Sequence, residues 1–239
     1  MDWLASVDIY CERVGLGFWA EPFNALSNLS FIIAALWAAI EARKRGADGA
    51  IWLLIGMAGL IGVGSFTFHT FAKTWSEYAD TIPIWSFVAM FVFIAMARVG
   101  GVRPGRIGAI ALGVAAVVVV ITLASGEGVA PAPGTLNEPE FLNGSAQYAP
   151  AWIALLVFSV LSWRRKHPMW PWIWAATAVF SLSLVFRTVD MAVCPIFPVG
   201  SHFVWHLLNG AMIALLLQML LRAPAPIGRG PSVHPHREK

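Results

Sequence analysis

The stretch SFTFHTFAKTWSEYAD, residues 65–80, places a serine, a histidine and an aspartate at the end of an apolar run. Ser65 and His69 are four residues apart, so on a helix their side chains lie on one face, one turn from each other. A second pair with this spacing, His202 and His206, begins the last apolar run of the chain. Three imidazoles on two helix faces, with a carboxylate nearby, can bind zinc and leave one coordination position open. The sequence therefore predicts a zinc site formed by these three histidines.

The composition around this stretch is that of a membrane protein. The chain has 239 residues, of which 58% are hydrophobic and 12% charged, whereas a soluble domain carries about 25% charged residues. The formal net charge is +3, but the basic residues stand in short segments between apolar runs. Such charges are typical of membrane orientation, so we expect the lipid bilayer, and no nucleic acid, as the partner of this chain.

Seven apolar runs follow a polar, acidic N-terminal segment, and each has roughly the length that crosses about 30 Å of hydrocarbon as a helix. The predicted spans are 22–41, 51–70, 81–98, 107–124, 147–163, 170–188 and 201–221. We therefore expect an all-α, multi-pass membrane domain of seven transmembrane helices over residues 1–221. Residues 222–239 contain Pro, Gly and His and few apolar side chains, and we expect them to form a disordered cytoplasmic tail.

The distribution of positive charge predicts the orientation of these spans. Of the 16 Lys and Arg residues, only Arg13, Lys73 and Arg187 lie on the side of the N-terminus, and the others flank the opposite ends of the spans. The positive-inside rule then puts the N-terminus outside and the C-terminus in the cytoplasm. His69, Asp80, His202 and His206 all fall at the outer ends of their spans in this topology, so we expect the site to face the extracytoplasmic side.

Structural roles remain open for several of these residues. A single histidine in a membrane helix most often forms a hydrogen bond between helices. Asp80 precedes Thr81 and Pro83, so it could cap the N-terminus of the third span, and it could belong to the site as well. Ser65 could donate only to a carbonyl of its own helix.

Further polar residues fall on the same side of the predicted membrane. One helical face of the first span carries Glu21, Asn24, Ser27 and Asn28, which either connect helices or orient the metal ligands. Arg187 and Asp190 are expected to form a structural ion pair. Cys11 and Cys194, the only cysteines, both lie outside in the predicted topology and suggest a disulfide, although free buried thiols are an alternative.

Together these residues resemble the alkaline ceramidase family of seven-span, metal-dependent membrane hydrolases. The resemblance rests on Glu21-Pro-x-Asn24-x-x-Ser27-Asn28, on Ser65-x-x-x-His69 with Asp80, and on His202-x-x-x-His206, and it extends from about Asp8 to Leu221. It implies that the three histidines hold Zn²⁺, that Ser65 and Asp80 complete the catalytic set, and that the reaction is hydrolysis of the amide of ceramide.

Some enzymes of this family also bind Ca²⁺ through an acidic N-terminal segment and a glutamate in the first span. Asp8, Glu12 and Glu21 resemble that set, and oxygen ligands suit calcium. Arg13, however, stands where the family often has an acidic or amide residue.

The resulting hypothesis is a zinc-dependent amidohydrolase that cleaves the N-acyl amide of ceramide, or of a ceramide-like lipid, to a fatty acid and a sphingoid base. Asp80 would take a proton from the attacking water and pass it to the leaving amine. Zinc and the Ser65 hydroxyl would stabilise the oxyanion. The alternative is a seven-span receptor or sensor with a structural metal site and no turnover. A transporter is disfavoured because the polar residues cluster at the outer ends of the spans.

Overall fold

The computed structural model describes residues 2–125 and 141–223. These residues form helices, and their one β-type pairing is an isolated antiparallel bridge between Ser6 and Lys73. The helices are α1 (Pro22–Ser27), α2 (Leu29–Arg45), α3 (Gly49–Phe71), α4 (Thr74–Arg98), α5 (Pro104–Ser125), a 3-10 helix (Phe141–Tyr148), α6 (Ala149–Arg164), α7 (Trp170–Val193) and α8 (His202–Arg222). The predicted all-helical class is confirmed for these residues.

Helix α4 begins at Thr74, and not at residue 81 as the hydropathy predicts. Its first turn is closed by a reciprocal cap, in which the Lys73 N–H donates to the Ser76 hydroxyl over 2.9 Å. Asp80 therefore lies inside the helix and does not cap it. The polar side chains of the first two turns hide this part of the helix from a hydropathy profile.

Within residues 2–125 and 141–223, six helical segments are long and apolar enough to cross a membrane. They are Pro22–Arg45, Gly49–Phe71, Thr74–Arg98, Phe141–Arg164, Trp170–Val193 and His202–Arg222. The predicted fourth span, 107–124, lies within helix α5 (Pro104–Ser125). Of the predicted tail, only Arg222 and Ala223 belong to the described residues.

Helices from the N-terminal and the C-terminal part of the chain together surround the predicted site. Helix α2 lies between α3 and α8, α7 contacts α8, and α4 packs along α3. Two close approaches set this arrangement: a Cβ on Gly210 would lie 2.4 Å from the Ser30 hydroxyl, and one on Gly64 would lie 2.0 Å from the carbonyl oxygen of Ala79. Only glycine permits helix backbones to approach so closely.

A cavity of about 360 Å³ extends from the predicted site along the apolar faces of these helices. Side chains of α4 and α6 line its two long walls, among them Phe87, Phe91, Leu155 and Phe158. Helix α5 contacts α4 and stands outside this cavity. The cavity thus has an apolar interior and, at one end, the polar residues of the predicted site.

Candidate metal centre

The three histidines predicted as ligands meet at one point. His69 lies in the last turn of α3, His202 is the first residue of α8, and His206 follows one turn later. Their ring centroids are 5.3 Å apart for His69–His202, 4.7 Å for His69–His206 and 4.5 Å for His202–His206. One nitrogen from each ring lies within 4.8 Å of the others, and all three side chains are buried.

The start of α8 is held in place by Asp190 of α7. One carboxylate oxygen accepts from the backbone N–H groups of Ser201 (2.7 Å) and His202 (2.9 Å). The residue before them, Gly200, has a φ of +67°, and a Cβ at that position would lie 2.3 Å from the same carboxylate. A glycine is therefore required, because an L-residue would be strained in this conformation and would displace Asp190.

Hydrogen bonds fix the tautomers of two of the three imidazoles. His69 Nδ1 lies 2.6 Å from a carboxylate oxygen of Glu21, which can only accept, so Nδ1 carries the proton. His206 Nδ1 lies 2.7 Å from the Ser27 hydroxyl. Because Ser27 already donates its proton to the Asn24 carbonyl over 2.8 Å, His206 Nδ1 must be the donor here too. In both rings Nε2 is left with the lone pair that a metal requires.

The buried nitrogens of the cluster fit a metal ion. His69 Nε2 and His202 Nδ1 have no hydrogen-bond partner among the described residues, although both are shielded from solvent. Buried polar atoms are rarely left without a partner, and two orphaned imidazole nitrogens beside a third ring form the donor set of a zinc site. The residues present are therefore suited to hold the predicted metal.

The polar face of the first span contacts two of these three imidazole rings. Ser27 contacts His206, and Asn24 reaches His69 only through Glu21, to which its side-chain amide donates over 3.0 Å. The Asn28 amide donates to the Asn24 carbonyl over 2.9 Å and thereby supports this turn from within the helix. These contacts connect the first span to α3 and α8, and a role in orienting metal ligands stays a prediction.

Ser65 and Asp80 lie together on the wall of the cavity. The Ser65 hydroxyl lies near the Asp80 carboxylate, across the close approach of α3 and α4 at Gly64. Both residues line the cavity with His202 and His206. One Asp80 oxygen, Oδ1, has no hydrogen-bond partner among the described residues, so it is available to a water molecule or a substrate.

The N-terminal segment covers the outer side of the histidines. A disulfide joins Cys11 to Cys194, across a sequence separation of 183 residues. The Cys11 N–H also donates to the second oxygen of Asp190 over 3.1 Å. The Tyr10 ring stacks on His202 with 3.7 Å between centroids and 22° between planes. The beginning of the chain therefore forms one wall of the site.

Two of the three carboxylates predicted to hold calcium contact other groups in this structure. Glu21 contacts the Arg13 guanidinium through one oxygen and His69 through the other. Glu12 accepts from the backbone N–H groups of Phe23 (2.7 Å) and Asn24 (2.8 Å), where α1 begins. Asp8 is exposed. A calcium site here would require Arg13 to leave Glu21, and calcium binding stays a prediction.

The hydrogen bond from His69 contributes most to the ionised state of Glu21. Burial by itself would raise the pKa of Glu21, but the hydrogen bonds from His69 and Asn24, with the nearby guanidinium, hold it below its usual value. For Glu12, burial prevails over the two backbone donors and raises the pKa. Glu21 is therefore the carboxylate that stays ionised beside the metal ligand.

The sequence did not single out Tyr10, Arg13 or Arg187 as parts of the site. Tyr10 adjoins Cys11, and Arg13 interrupts an acidic segment, so each gave a weak signal. Arg187 was assigned to a pair with Asp190, but Asp190 is occupied by three backbone N–H groups. No ion pair joins Arg187 to a carboxylate within the described residues.

The chain was compared with known proteins. A family model described as Ceramidase matches residues 5–225, a range that includes each residue of the site. Among curated proteins, the comparison found no match.

Proposed function

Because the chain belongs to the ceramidase family, whose members are membrane hydrolases of ceramide amides, we propose that it is a zinc-dependent amidohydrolase. Its substrate is ceramide or a ceramide-like lipid, and its products are a fatty acid and a sphingoid base. The observation that carries the proposal is the cluster of three buried imidazoles, two with orphaned nitrogens, at the polar end of an apolar cavity.

His69, His202 and His206 would hold the metal. Bound there, zinc would supply the Lewis acidity that activates water and polarises the amide carbonyl. Glu21 and Ser27 form hydrogen bonds with Nδ1 of His69 and of His206. The lone pair on Nε2 of each ring therefore stays available. This preorganisation supports a closed set of three protein ligands with one open position, the arrangement of catalytic zinc.

Asp80 is the general base and acid of the proposed reaction. Its free oxygen faces no competing donor among the described residues, so it can take a proton from the attacking water and deliver it to the departing amine nitrogen. The Ser65 hydroxyl lies near Asp80 and would donate to it. Its hydroxyl has a single proton, so it orients Asp80 before the attack and can stabilise the oxyanion only after turning away from it.

The apolar cavity accounts for a lipid substrate. Its aromatic and aliphatic walls match a hydrocarbon chain, while the polar groups at one end match an amide and its neighbouring hydroxyls. Such a shape lets an acyl chain remain in an apolar environment while the scissile bond meets the metal and Asp80.

We also propose a topology of seven spans, with α5 as the fourth, over a membrane domain of residues 1–221 followed by a cytoplasmic tail. The biased distribution of Lys and Arg supports an outside N-terminus, and thus an active site on the extracytoplasmic side. Cysteines introduced at Asp48 and at Asn137, which lies outside the described residues, test this topology in intact cells. The cysteine at 137, and not that at 48, should react with an impermeant reagent; the opposite result refutes the orientation.

The activity is tested with purified protein, a defined ceramide and mass spectrometry of the products. Fatty acid and sphingoid base should appear in equal amounts, disappear with a zinc chelator and return with zinc. His202→Ala should lose both metal and turnover, whereas His234→Ala, in the predicted tail, should lose neither. A protein that binds zinc without cleaving ceramide would instead support the receptor or sensor.

A further inference from the structure

Arg187 is a buried cation on the wall of the catalytic cavity. Its residue is 6% exposed, and it lines the cavity together with Asp80 and His202. Three aromatic rings surround the guanidinium carbon, with centroids at 5.8 Å for Tyr10 and 5.5 Å for both Tyr148 and Trp205. These rings shield Arg187 from solvent and stabilise its charge through their faces.

This guanidinium is not saturated with hydrogen bonds. Nη1 donates to the Tyr10 hydroxyl over 3.0 Å, while Nε is buried and has no hydrogen-bond partner in the described part of the chain. A guanidinium carries five N–H donors, and leaving them unpaired inside a protein costs free energy. An orphaned donor beside a cavity is therefore a binding group for an acceptor that enters the cavity.

Among the described residues, the acidic side chains nearby form no salt bridge with Arg187. Asp190, one turn further along α7, accepts three backbone N–H groups at 2.7, 2.9 and 3.1 Å. Asp80 lines the same cavity, but no ion pair within 4.0 Å joins it to Arg187. A buried charge without a hydrogen-bonded partner is costly, so the cavity presents beside the predicted metal ligands a guanidinium that no carboxylate of the described residues contacts directly.

We propose that Arg187 is the carboxylate-binding residue of this cavity and that its ligand is a long-chain lipid carboxylate. Guanidinium groups match carboxylates because two parallel N–H donors can meet both oxygens. The apolar walls match the hydrocarbon chain of such a lipid. Ceramide is uncharged and does not itself require a buried cation, so this assignment adds a ligand class to the site.

The carboxylate has two possible sources, and both rest on the proposed amide hydrolysis. The first source is the product, since water and the amide yield one carboxylate and one protonated amine. The cavity provides one cation, Arg187, for the carboxylate and one anion, Asp80, for the amine. The second is a substrate whose amine part carries a carboxyl group, as in an N-acyl amino acid. In either case the same guanidinium receives the same chemical group.

Binding to metal-free protein tests the assignment without turnover. Palmitate and palmitamide differ in charge but not in chain length, and chelation removes the metal that could itself bind a carboxylate. Wild-type protein should bind palmitate about 10- to 100-fold more tightly, the range expected of a hydrogen-bonded charged pair. Arg187→Gln should bind the two probes nearly equally, and its palmitamide affinity should match the wild type, which shows that the cavity is intact.

The matched control is Arg222→Gln, which removes an arginine that stacks on Trp172 at the far end of α8. It should keep the preference for palmitate. Equal binding of the two probes by wild-type protein, or a preference that survives in Arg187→Gln, would overturn the proposal.

Turnover by the zinc-loaded protein then separates the two sources. If the product is the ligand, Arg187→Gln should need about tenfold more palmitate to halve ceramide hydrolysis. If a substrate is the ligand, the variant should raise KM for N-palmitoylglycine about tenfold relative to N-palmitoylethanolamine. If neither change is observed, that result counts against the proposal. Wild-type protein that cleaves no amide would refute the proposed function, while the binding result would stand.

Discussion

Replacing Arg13 with Met tests how strongly the first segment of the chain supports the metal centre. The guanidinium contacts Glu21, and each side chain is only 2% exposed. Arg13 also donates to the His69 carbonyl over 3.0 Å and to the Gly15 carbonyl over 3.1 Å. The variant would leave a buried carboxylate without its cation, which typically costs about 3–5 kcal/mol of folding stability.

A double-mutant cycle with Glu21→Gln isolates the pair. The double variant buries a methionine and a neutral amide, so it should be more stable than the sum of the two single losses predicts. Glu21→Gln alone should weaken zinc binding about 10- to 100-fold, because it removes the carboxylate that holds His69 Nδ1. Arg45→Met is the control, since its contact with Glu41 at 2.8 Å is partly exposed and near the other end of α2.

Stability is measured by denaturant or thermal unfolding in one detergent, and zinc affinity by competition with a chelator. Arg13→Met should lose far more stability than Arg45→Met. If the two variants unfold alike, and if Arg13→Met binds zinc as tightly as the wild type, the guanidinium does not support the centre and the reasoning fails.

Three further predictions concern Asp80, the close approach of α3 and α4 at Gly64, and the disulfide. Asp80→Asn should keep its zinc but lose about 10²–10⁴-fold in ceramide turnover; because Asp80 lies inside α4, full metal with normal turnover would refute its proton-transfer role. Gly64→Ala should disrupt the contact of α3 with α4 and reduce both stability and turnover, whereas Gly59→Ala, which has open space around it, should do neither. Removing the bond between Cys11 and Cys194 should cost about 3–5 kcal/mol of stability, and a non-reducing peptide map with two free thiols from wild-type protein would contradict its presence.

The cluster of three histidines could be predicted from the sequence because their spacing repeats in apolar surroundings. Ser65-x-x-x-His69 and His202-x-x-x-His206 place their side chains on helix faces, and polar groups in such helices are costly unless they share a site. The distribution of positive charge in the flanking segments then predicted that both pairs lie on one side of the membrane. These patterns depend on local periodicity, which a single sequence retains.

The parts that were missed depend on contacts between segments far apart in the chain. Arg187 was paired with Asp190 because they are three residues apart, yet Asp190 turns to the backbone of Cys11, Ser201 and His202. No local pattern predicts that choice, since the N–H groups become available only after the loop before α8 bends at Gly200. The start of α4 was misplaced for a different reason, because its first turns are polar.

The site draws on residues from both ends of the polypeptide, and this has a consequence for biosynthesis. Tyr10, Cys11 and Glu21 are made first, but the histidines of α8 with which they share the site are made last. A nascent chain that ends before α8 does not contain a complete centre. Catalysis therefore begins only when insertion into the membrane is finished. Until then His69 lacks the two neighbouring imidazoles contributed by α8. A ribosome that stalls before residue 202 would therefore leave an inert fragment with unpaired polar groups, which quality-control proteases can recognise.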